Sequence, residues 1–312
     1  MEHTLARFAV PGYLNHAVKL SDTNFPPMPV PSVVQAQWLF AHPRDPGIRV
    51  LDASWYLPTM HRDPLREFRE GHLPGAQLFS IDEASDPASP LPHMLPSAAE
   101  FADLVSRLGI SSGDHVVVYD ASGMNLSAPR VWWMFRAFGH DAVSVLDGGL
   151  GAWKAAGGIL EPGDPAAPPR ATFDAVLRSS MVRSAAQVLE AQQEGTAQLA
   201  DMRSRGRFEG TEPEPRPGLR GGHIPGSRSL PYAQLVDADG LLRPLGELRA
   251  IIAAAGIDAG RPQIALCGSG VTACSLLLAL HVLGATDTAL FDGSWTEWAQ
   301  REELPVETGP PL

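Results

Sequence analysis

The chain has 312 residues, a formal net charge of −11 and a pI of about 5.3. Its composition, 44% hydrophobic and 19% charged, is typical of a folded globular protein and excludes a disordered chain. The acidic balance argues against nucleic acid or an anionic membrane as the main partner. No apolar run is long enough to predict a membrane span.

Residues 1–30 are predicted to form an N-terminal extension that ends in the proline-rich segment PPMPVP. Its first twenty residues carry Arg7 and Lys19 against Glu2 alone. Pro11 and several polar residues interrupt the apolar stretch that a cleavable signal would need. A transit peptide is the alternative interpretation.

Four landmarks follow one another in the first half of the chain. They are, in order, VLDASW (50–55), GHLPGA (71–76), the apolar run VVVYD (116–120) and the apolar run AVSVLDGG (142–149). A polar loop and the helical pattern VWWMFRAFG separate the two runs. Short apolar runs joined through helices are typical of strands in a parallel sheet.

The same landmarks recur in the second half in the same order. They are LADMRS (199–204), GHIPGS (222–227), QIALC (263–267) and TALFDGS (288–294), with the helical pattern CSLLLALHVLG between the last two. Four matches in one order indicate an internal duplication. We therefore predict an α/β fold with two tandem domains, each a parallel sheet flanked by helices.

The stretch EPGDPAAPPR lies between the two halves and has the composition of a stiff linker. The predicted organisation is an extension at 1–30, a first domain at 31–160, a Pro-rich linker at 161–171 and a second domain at 172–312. Each domain has an ordinary size for an independent core.

Cys267 ends a predicted strand, where this class of fold binds its ligands. Gly268, Ser269 and Gly270 follow, and a helix is predicted from about Val271. The glycines let the backbone curl so that successive N–H groups point inward, and the helix N-terminus adds positive potential. Both effects lower a thiol pKa and favour a nucleophilic thiolate. The alternative is a buried structural cysteine.

The second cysteine, Cys274, lies in an apolar helical pattern and is interpreted as a core residue. Two cysteines make a disulfide framework implausible, so we expect a reducing compartment and a cytoplasmic location. No Cys/His cluster has the spacing of metal ligands, so neither a metal nor a cofactor is expected.

The segment CGSGVTA (267–273) resembles the active-site loop of 3-mercaptopyruvate sulfurtransferases, a branch of the tandem rhodanese family. The resemblance covers about residues 35–300 and includes the segments LDASWYLP, SAPRVWWMFRAFGH, GRFEGTEPEPR, GHIPG and DGSW. It implies two rhodanese-like domains with chemistry only in the second. Asp120 stands in the first domain where the second has Cys267, and a carboxylate cannot carry a persulfide.

The resemblance also implies the residues that bind the donor. Arg207 and Arg216, in the long Gly/Pro/charged loop predicted at 201–222, are expected to hold the carboxylate and keto oxygen of 3-mercaptopyruvate. The loop residues expected to contact it are Gly268, Gly270, Val271 and Thr272. The other arginines of the segment are expected at the surface, as in solvated Arg–Glu pairs: Arg203, Arg205 and Arg220.

A Ser–His–Asp arrangement is implied at Ser269, His93 and Asp82. Asp82 would orient His93, which would share a proton with Ser269 and so reach the donor carbonyl or its enolate. The two histidines of the repeated GHxPG motifs, His72 and His223, are expected to fix turns, because the motif also occurs in the domain without a cysteine.

The implied reaction moves sulfur from 3-mercaptopyruvate to Cys267 as a persulfide and releases pyruvate. Thioredoxin, a small thiol or cyanide is the expected acceptor.

Thiosulfate-preferring relatives carry basic residues after the cysteine, where this chain has Gly268 and Ser269. A thiosulfate:cyanide sulfurtransferase (rhodanese) is therefore the alternative, followed by a non-catalytic rhodanese-like binding or sensing module. A tyrosine-phosphatase-like function is disfavoured, because Ala273 stands where such enzymes need an arginine to bind phosphate.

Overall fold

The structure is a computed structural model that describes residues 30–42 and 45–310. The predicted extension, apart from its last residue, lies outside the described residues. Within these residues, the first half of the chain contains five strands and five α-helices: β1 Val33–Val34, α1 Ala36–Ala41, β2 Ile48–Asp52, α2 Pro64–Glu70, β3 Gln77–Leu78, α3 Ala98–Arg107, β4 His115–Tyr119, α4 Ala128–Ala137, β5 Val143–Leu146 and α5 Gly149–Ala155.

The second half repeats this pattern. Its elements are β6 Val182–Arg183, α6 Ala185–Glu194, β7 Gln198–Asp201, α7 Arg205–Glu209, β8 Arg228–Ser229, α8 Leu245–Ala254, β9 Gln263–Leu266, α9 Cys274–Val282, β10 Thr288–Phe291 and α10 Ser294–Gln300. Each half forms one parallel five-stranded sheet, in the order β1-β5-β4-β2-β3 and β6-β10-β9-β7-β8. The predicted duplication and the predicted α/β fold class are confirmed.

Local sequence explains where several helices begin. Ser97 and Glu100 form a reciprocal capping box at the start of α3, and Ser184 and Gln187 do the same for α6. The central strands β4 and β9 are buried along almost their whole length, which suits the apolar runs of strands covered on both faces.

Two local predictions were wrong. The helix after Cys267 begins at Cys274 and not near Val271, because the preceding residues form an irregular loop in which Gly270 has φ of +77°. The segment 201–222, interpreted as one long loop, contains helix α7, which Ser204 caps with its hydroxyl.

The two domains share one hydrophobic core at their junction. Helix α4 packs against α9, and one buried cluster contains side chains from both, including Trp132 and Leu276. This packing brings the carboxyl end of β9 opposite loops of the first domain. No helix among the described residues is long and apolar enough to cross a membrane.

Candidate active site

Cys267 follows directly after β9, at the carboxyl end of the central strand of the second sheet. The residue is 2% exposed. Its backbone N–H donates to the Oγ of Ser294 at 3.2 Å, and its carbonyl accepts from the N–H of Trp295 at 3.0 Å. These bonds to the start of α10 fix the backbone beneath the thiol.

The loop after Cys267 is suited to bind an anion. Within the part of the chain that the structure describes, the backbone N–H groups of residues 268–272 donate to no other residue. A Cβ atom on Gly270 would lie 2.8 Å from the carbonyl oxygen of Asp292, and its φ is positive, so only glycine fits without strain. A curled loop with free amides attracts negative charge.

The equivalent loop of the first domain is already filled. Asp120 follows β4 as Cys267 follows β9, and its carboxylate accepts hydrogen bonds from the N–H groups of Ser122, Ser127 and Ala128 at 2.9 Å each. The Asp120 carboxylate thus occupies the backbone N–H groups of its own loop. An anionic ligand has no comparable cradle there.

Ser269, His93 and Asp82 lie in a row across the domain junction. Nδ1 of His93 lies 2.9 Å from Oγ of Ser269, and its Nε2 lies 3.1 Å from Oδ1 of Asp82. His93 and Ser269 are buried, whereas the Asp82 side chain is 69% exposed. The tertiary fold therefore brings together three residues that the sequence places in two different domains.

The environment of Asp82 keeps its carboxylate ionised. The hydrogen bond from His93 is the largest effect that lowers the pKa of Asp82, and Trp55 and Arg216 lower it further. The Trp55 ring also meets the His93 ring edge-on, with 4.9 Å between the ring centroids. Trp55 thus packs against the same histidine that Asp82 orients.

Arg207 and Arg216 both lie close to Cys267 or the loop that follows it. Nη2 of Arg207 lies 3.0 Å from the position that a Cβ atom on Gly268 would occupy. Arg216 is close enough to Cys267 for the charge of a thiolate to favour its protonated form, although burial lowers the pKa of this guanidinium. One cation therefore lies over the loop, and a second lies near the cysteine.

Glu214 holds Arg207 in place. Its Oε2 accepts from Nη2 of Arg207 at 2.6 Å and its Oε1 from Nη1 of Arg203 at 2.6 Å. Arg203 in turn forms an ion pair with Asp201 and stacks over the ring of Trp295. A continuous set of buried charges thus connects the end of β7 to the guanidinium above the loop.

The surface assignment was wrong for two arginines. Arg203 is 1% exposed and lies in the buried network just described. Arg220 donates to four backbone carbonyls around the end of α10, so it fixes the end of this helix and the segment that follows it. Arg205 is exposed and pairs with Glu209, as predicted.

The remaining predictions concern structural residues. Cys274 is fully buried, and burial raises the pKa of its thiol, which confirms its assignment to the core. His72 and His223 each donate from Nδ1 to a carbonyl of the preceding helix, and each stacks on a phenylalanine. Both histidines therefore fix turns, as expected.

Sequence reasoning missed Trp55, Glu214 and Tyr232. Tyr232 lies near Cys267 and Arg207, and burial raises the pKa of its phenol. Trp55 could have been predicted, since an aromatic residue shortly after a strand, at the sheet edge where ligands bind, is a candidate to line the site. The partner of Glu214 was not predictable, because five arginines occur within eleven residues of it.

The chain matches the model of the Rhodanese-like domain twice, at residues 35–156 and 184–301. It is 46% identical to the human 3-mercaptopyruvate sulfurtransferase, over 86% of this chain and 92% of that protein. It is 44% identical to the mitochondrial thiosulfate/3-mercaptopyruvate sulfurtransferase 1 of Arabidopsis thaliana, over 88% and 78% of the two chains. Mammalian relatives named thiosulfate sulfurtransferase are 45–46% identical.

Solved structures give the same result. The crystal structure of SseA from Escherichia coli, a 3-mercaptopyruvate sulfotransferase, superposes with a TM-score of 0.78 at 41% identity. The match covers 85% of this chain and 98% of that one. The chain therefore belongs to the rhodanese family, as a sulfurtransferase with two rhodanese-like domains in tandem.

Proposed function

We propose that this sulfurtransferase takes sulfur from 3-mercaptopyruvate, carries it as a persulfide on Cys267 and passes it to a thiol or to cyanide. The observation that carries the choice of donor is the pair Arg207 and Arg216 beside a neutral loop. A guanidinium binds a carboxylate and an adjacent oxygen through paired N–H donors. 3-Mercaptopyruvate offers a carboxylate and a keto oxygen in that arrangement.

The first half-reaction transfers one sulfur atom. The Cys267 thiolate attacks the sulfur of the bound donor, so an S–S bond forms and the C–S bond breaks. The electron pair of the C–S bond stays with carbon, and pyruvate leaves as its enolate. The free amides of residues 268–272 stabilise the anionic persulfide.

Ser269, His93 and Asp82 supply the proton that the enolate needs. The row of contacts, 2.9 Å and 3.1 Å, allows Ser269 to give its proton to the departing enolate and to regain one from His93. Asp82 fixes the orientation of the imidazole and stabilises it when it is protonated. The thiol proton of the donor leaves the new persulfide and replaces the one given to the enolate, so the net products are an anionic Cys267 persulfide and pyruvate.

The second half-reaction regenerates the enzyme. A thiolate or cyanide attacks the outer sulfur, and the Cys267 thiolate leaves, so the kinetics are ping-pong. Thioredoxin and small thiols suit this chemistry as acceptors because they offer a thiolate. The first domain contributes His93, Asp82 and Trp55 to the site, with no chemistry at Asp120.

Thiosulfate is the second candidate donor, because relatives with that name are as similar to this chain as the mercaptopyruvate enzymes. Gly268 and Ser269 leave the loop without a cation of its own for the dianion. A preference for thiosulfate would therefore have to come from Arg207 and Arg216 alone.

A side-by-side steady-state assay tests the proposal. Pyruvate release from 3-mercaptopyruvate is compared with sulfur transfer from thiosulfate, using the same dithiol or cyanide acceptor. A larger kcat/KM for 3-mercaptopyruvate supports the proposal, and a larger value for thiosulfate overturns the donor assignment. Activity with neither donor would favour a binding or sensing module.

The domain boundaries at residues 31–160, 161–171 and 172–312 and the cytoplasmic location stay predictions. The Arabidopsis relative is named as mitochondrial, so the family is not confined to the cytoplasm. Fractionation of cells that express the full chain tests the location directly.

A further inference from the structure

A buried ion pair joins the two domains directly behind the catalytic loop. Nη1 of Arg130, in the first turn of α4, lies 2.7 Å from Oδ1 of Asp292, the residue after β10. The two side chains are 1% and 3% exposed. Burial of two charges is unfavourable unless further hydrogen bonds replace their hydration, so the other bonds of this pair are informative.

Those bonds reach the backbone on both sides of the histidine–serine contact. Nη2 of Arg130 donates to the carbonyl of His93 at 2.6 Å, and Nη1 also donates to the carbonyl of Gly270 at 3.3 Å. Oδ2 of Asp292 accepts from the N–H of Leu95 at 2.7 Å. The pair therefore binds both segments whose side chains meet in the candidate active site.

His93 needs such support because its backbone is strained. Its φ of +60° lies in the left-handed region, which non-glycine residues enter rarely and at a cost. A strained conformation persists only where surrounding contacts hold it. The bonds of Arg130 to His93 and of Asp292 to Leu95, two residues further on, are contacts of this kind.

The duplication provides an internal comparison. Asp147, the residue after β5, corresponds to Asp292, and its Oδ1 accepts from the N–H of Leu242 across the junction at 2.7 Å. Its other oxygen accepts from the neutral side-chain amide of Gln35 at 2.8 Å. Both domains thus use a carboxylate to bind the opposite backbone. The side that carries Cys267 adds the guanidinium of Arg130.

We propose that Arg130 and Asp292 form a positioning pair that holds His93 against Ser269. This inference rests on the proposed function of that contact. Both charged groups are buried behind the loop, so they act through the histidine and the serine. The duplication explains the carboxylate, and the need to hold His93 explains the added arginine.

The first test is the substitution Arg130→Lys, which keeps the charge but loses the planar fork that binds a carboxylate and two carbonyls together. We expect kcat for pyruvate release to fall about tenfold, with KM changed less than about twofold, because the relay is displaced while the donor site remains. In a Ser269→Ala background, the same substitution should have no further effect on kcat. Effects that multiply in the double variant would overturn the inference.

The second test reads His93 directly and does not depend on activity. The NMR resonances of the His93 ring, and their titration midpoint, should shift in Arg130→Lys and stay unchanged in Asp147→Asn. Asp147→Asn is the matched control, because it removes the symmetry-related charge and should lower stability without changing kcat. Unchanged His93 resonances in folded Arg130→Lys would contradict the inference.

Two further outcomes separate this inference from the proposed function. Should Arg130→Lys fail to fold, Asp292→Asn gives the same two readouts from the other partner. If Ser269→Ala keeps a normal kcat while Arg130→Lys shifts the His93 resonances, the positioning pair stands. In that case the proton relay of the proposed function is wrong.

Discussion

Nδ1 of His93, in the first domain, lies 2.9 Å from Oγ of Ser269, in the catalytic loop of the second. The contact spans 176 residues of sequence and forms only when the two domains pack together. An excised second domain would keep Cys267 and its loop but lose the histidine, its aspartate and Trp55. On the proposed mechanism, the catalytic unit is therefore the complete tandem pair.

Cys267→Ser should abolish turnover with either donor, because a serine oxygen cannot hold the transferred sulfur. Pyruvate release and the mass of the intact protein after exposure to donor measure the two consequences. The wild type should gain the mass of one sulfur atom and the variant none. Cys274→Ala is the control and should keep turnover, since that thiol is buried and its pKa is raised by burial. Normal pyruvate release by Cys267→Ser would contradict the mechanism.

Arg216→Ala should raise KM for 3-mercaptopyruvate by roughly ten- to hundredfold, the usual effect of losing a hydrogen bond to a charged group. Steady-state kinetics over a range of donor concentrations gives the value. The control is Arg205→Ala, which removes an exposed arginine from the same segment. An equal change in both variants would indicate a general effect of surface charge.

Glu214→Gln should lower stability and raise KM together. The Glu214 carboxylate is 2% exposed and bonds to both Arg203 and Arg207, so an amide can satisfy only one of them. Breaking a buried ion pair costs about 3–5 kcal/mol. Denaturant unfolding measures the first effect and donor kinetics the second. Glu209→Gln, which loses an ion pair to the exposed Arg205, should change neither; wild-type stability in Glu214→Gln would refute the prediction.

The contribution of Asp82 to the stability of the folded protein should be lost in acid. The pKa of Asp82 in the folded state is lowered, first by its hydrogen bond to His93. Its contribution is therefore fully present above the unfolded pKa of about 3.9 and is lost as pH falls through the lower folded value. The difference in Tm between the wild type and Asp82→Asn should be constant above about pH 5 and shrink below about pH 4.

The same ionisation predicts the pH profile of turnover. Because Asp82 is ionised throughout the neutral range, Asp82→Asn should lower kcat without adding or removing an inflection between about pH 5 and pH 9. Wild-type and variant profiles of pyruvate release provide the comparison. An inflection that disappears in the variant would mean that Asp82 itself exchanges the proton.

The repeated landmarks determined the fold, since a duplicated strand and helix pattern predicts two similar sheets. They also located Cys267, because ligands of such sheets bind beyond the carboxyl ends of the strands and the loop there is rich in glycine. The predicted helix start near Val271 was wrong. Local pattern does not reveal that Gly270 adopts a positive φ and delays the helix to Cys274.

Only the tertiary structure decided which charged residues lie beside the cysteine. Arg203 and Arg207 are four residues apart in one charged segment, yet one is fully buried against Asp201 and the other lies over Gly268. Burial and partner choice depend on packing between elements distant in sequence. The approach of His93 to Ser269 likewise depends on how α4 and α9 pack. Periodicity and motifs report neighbours along the chain, and the contacts between domains follow from packing that no local pattern contains.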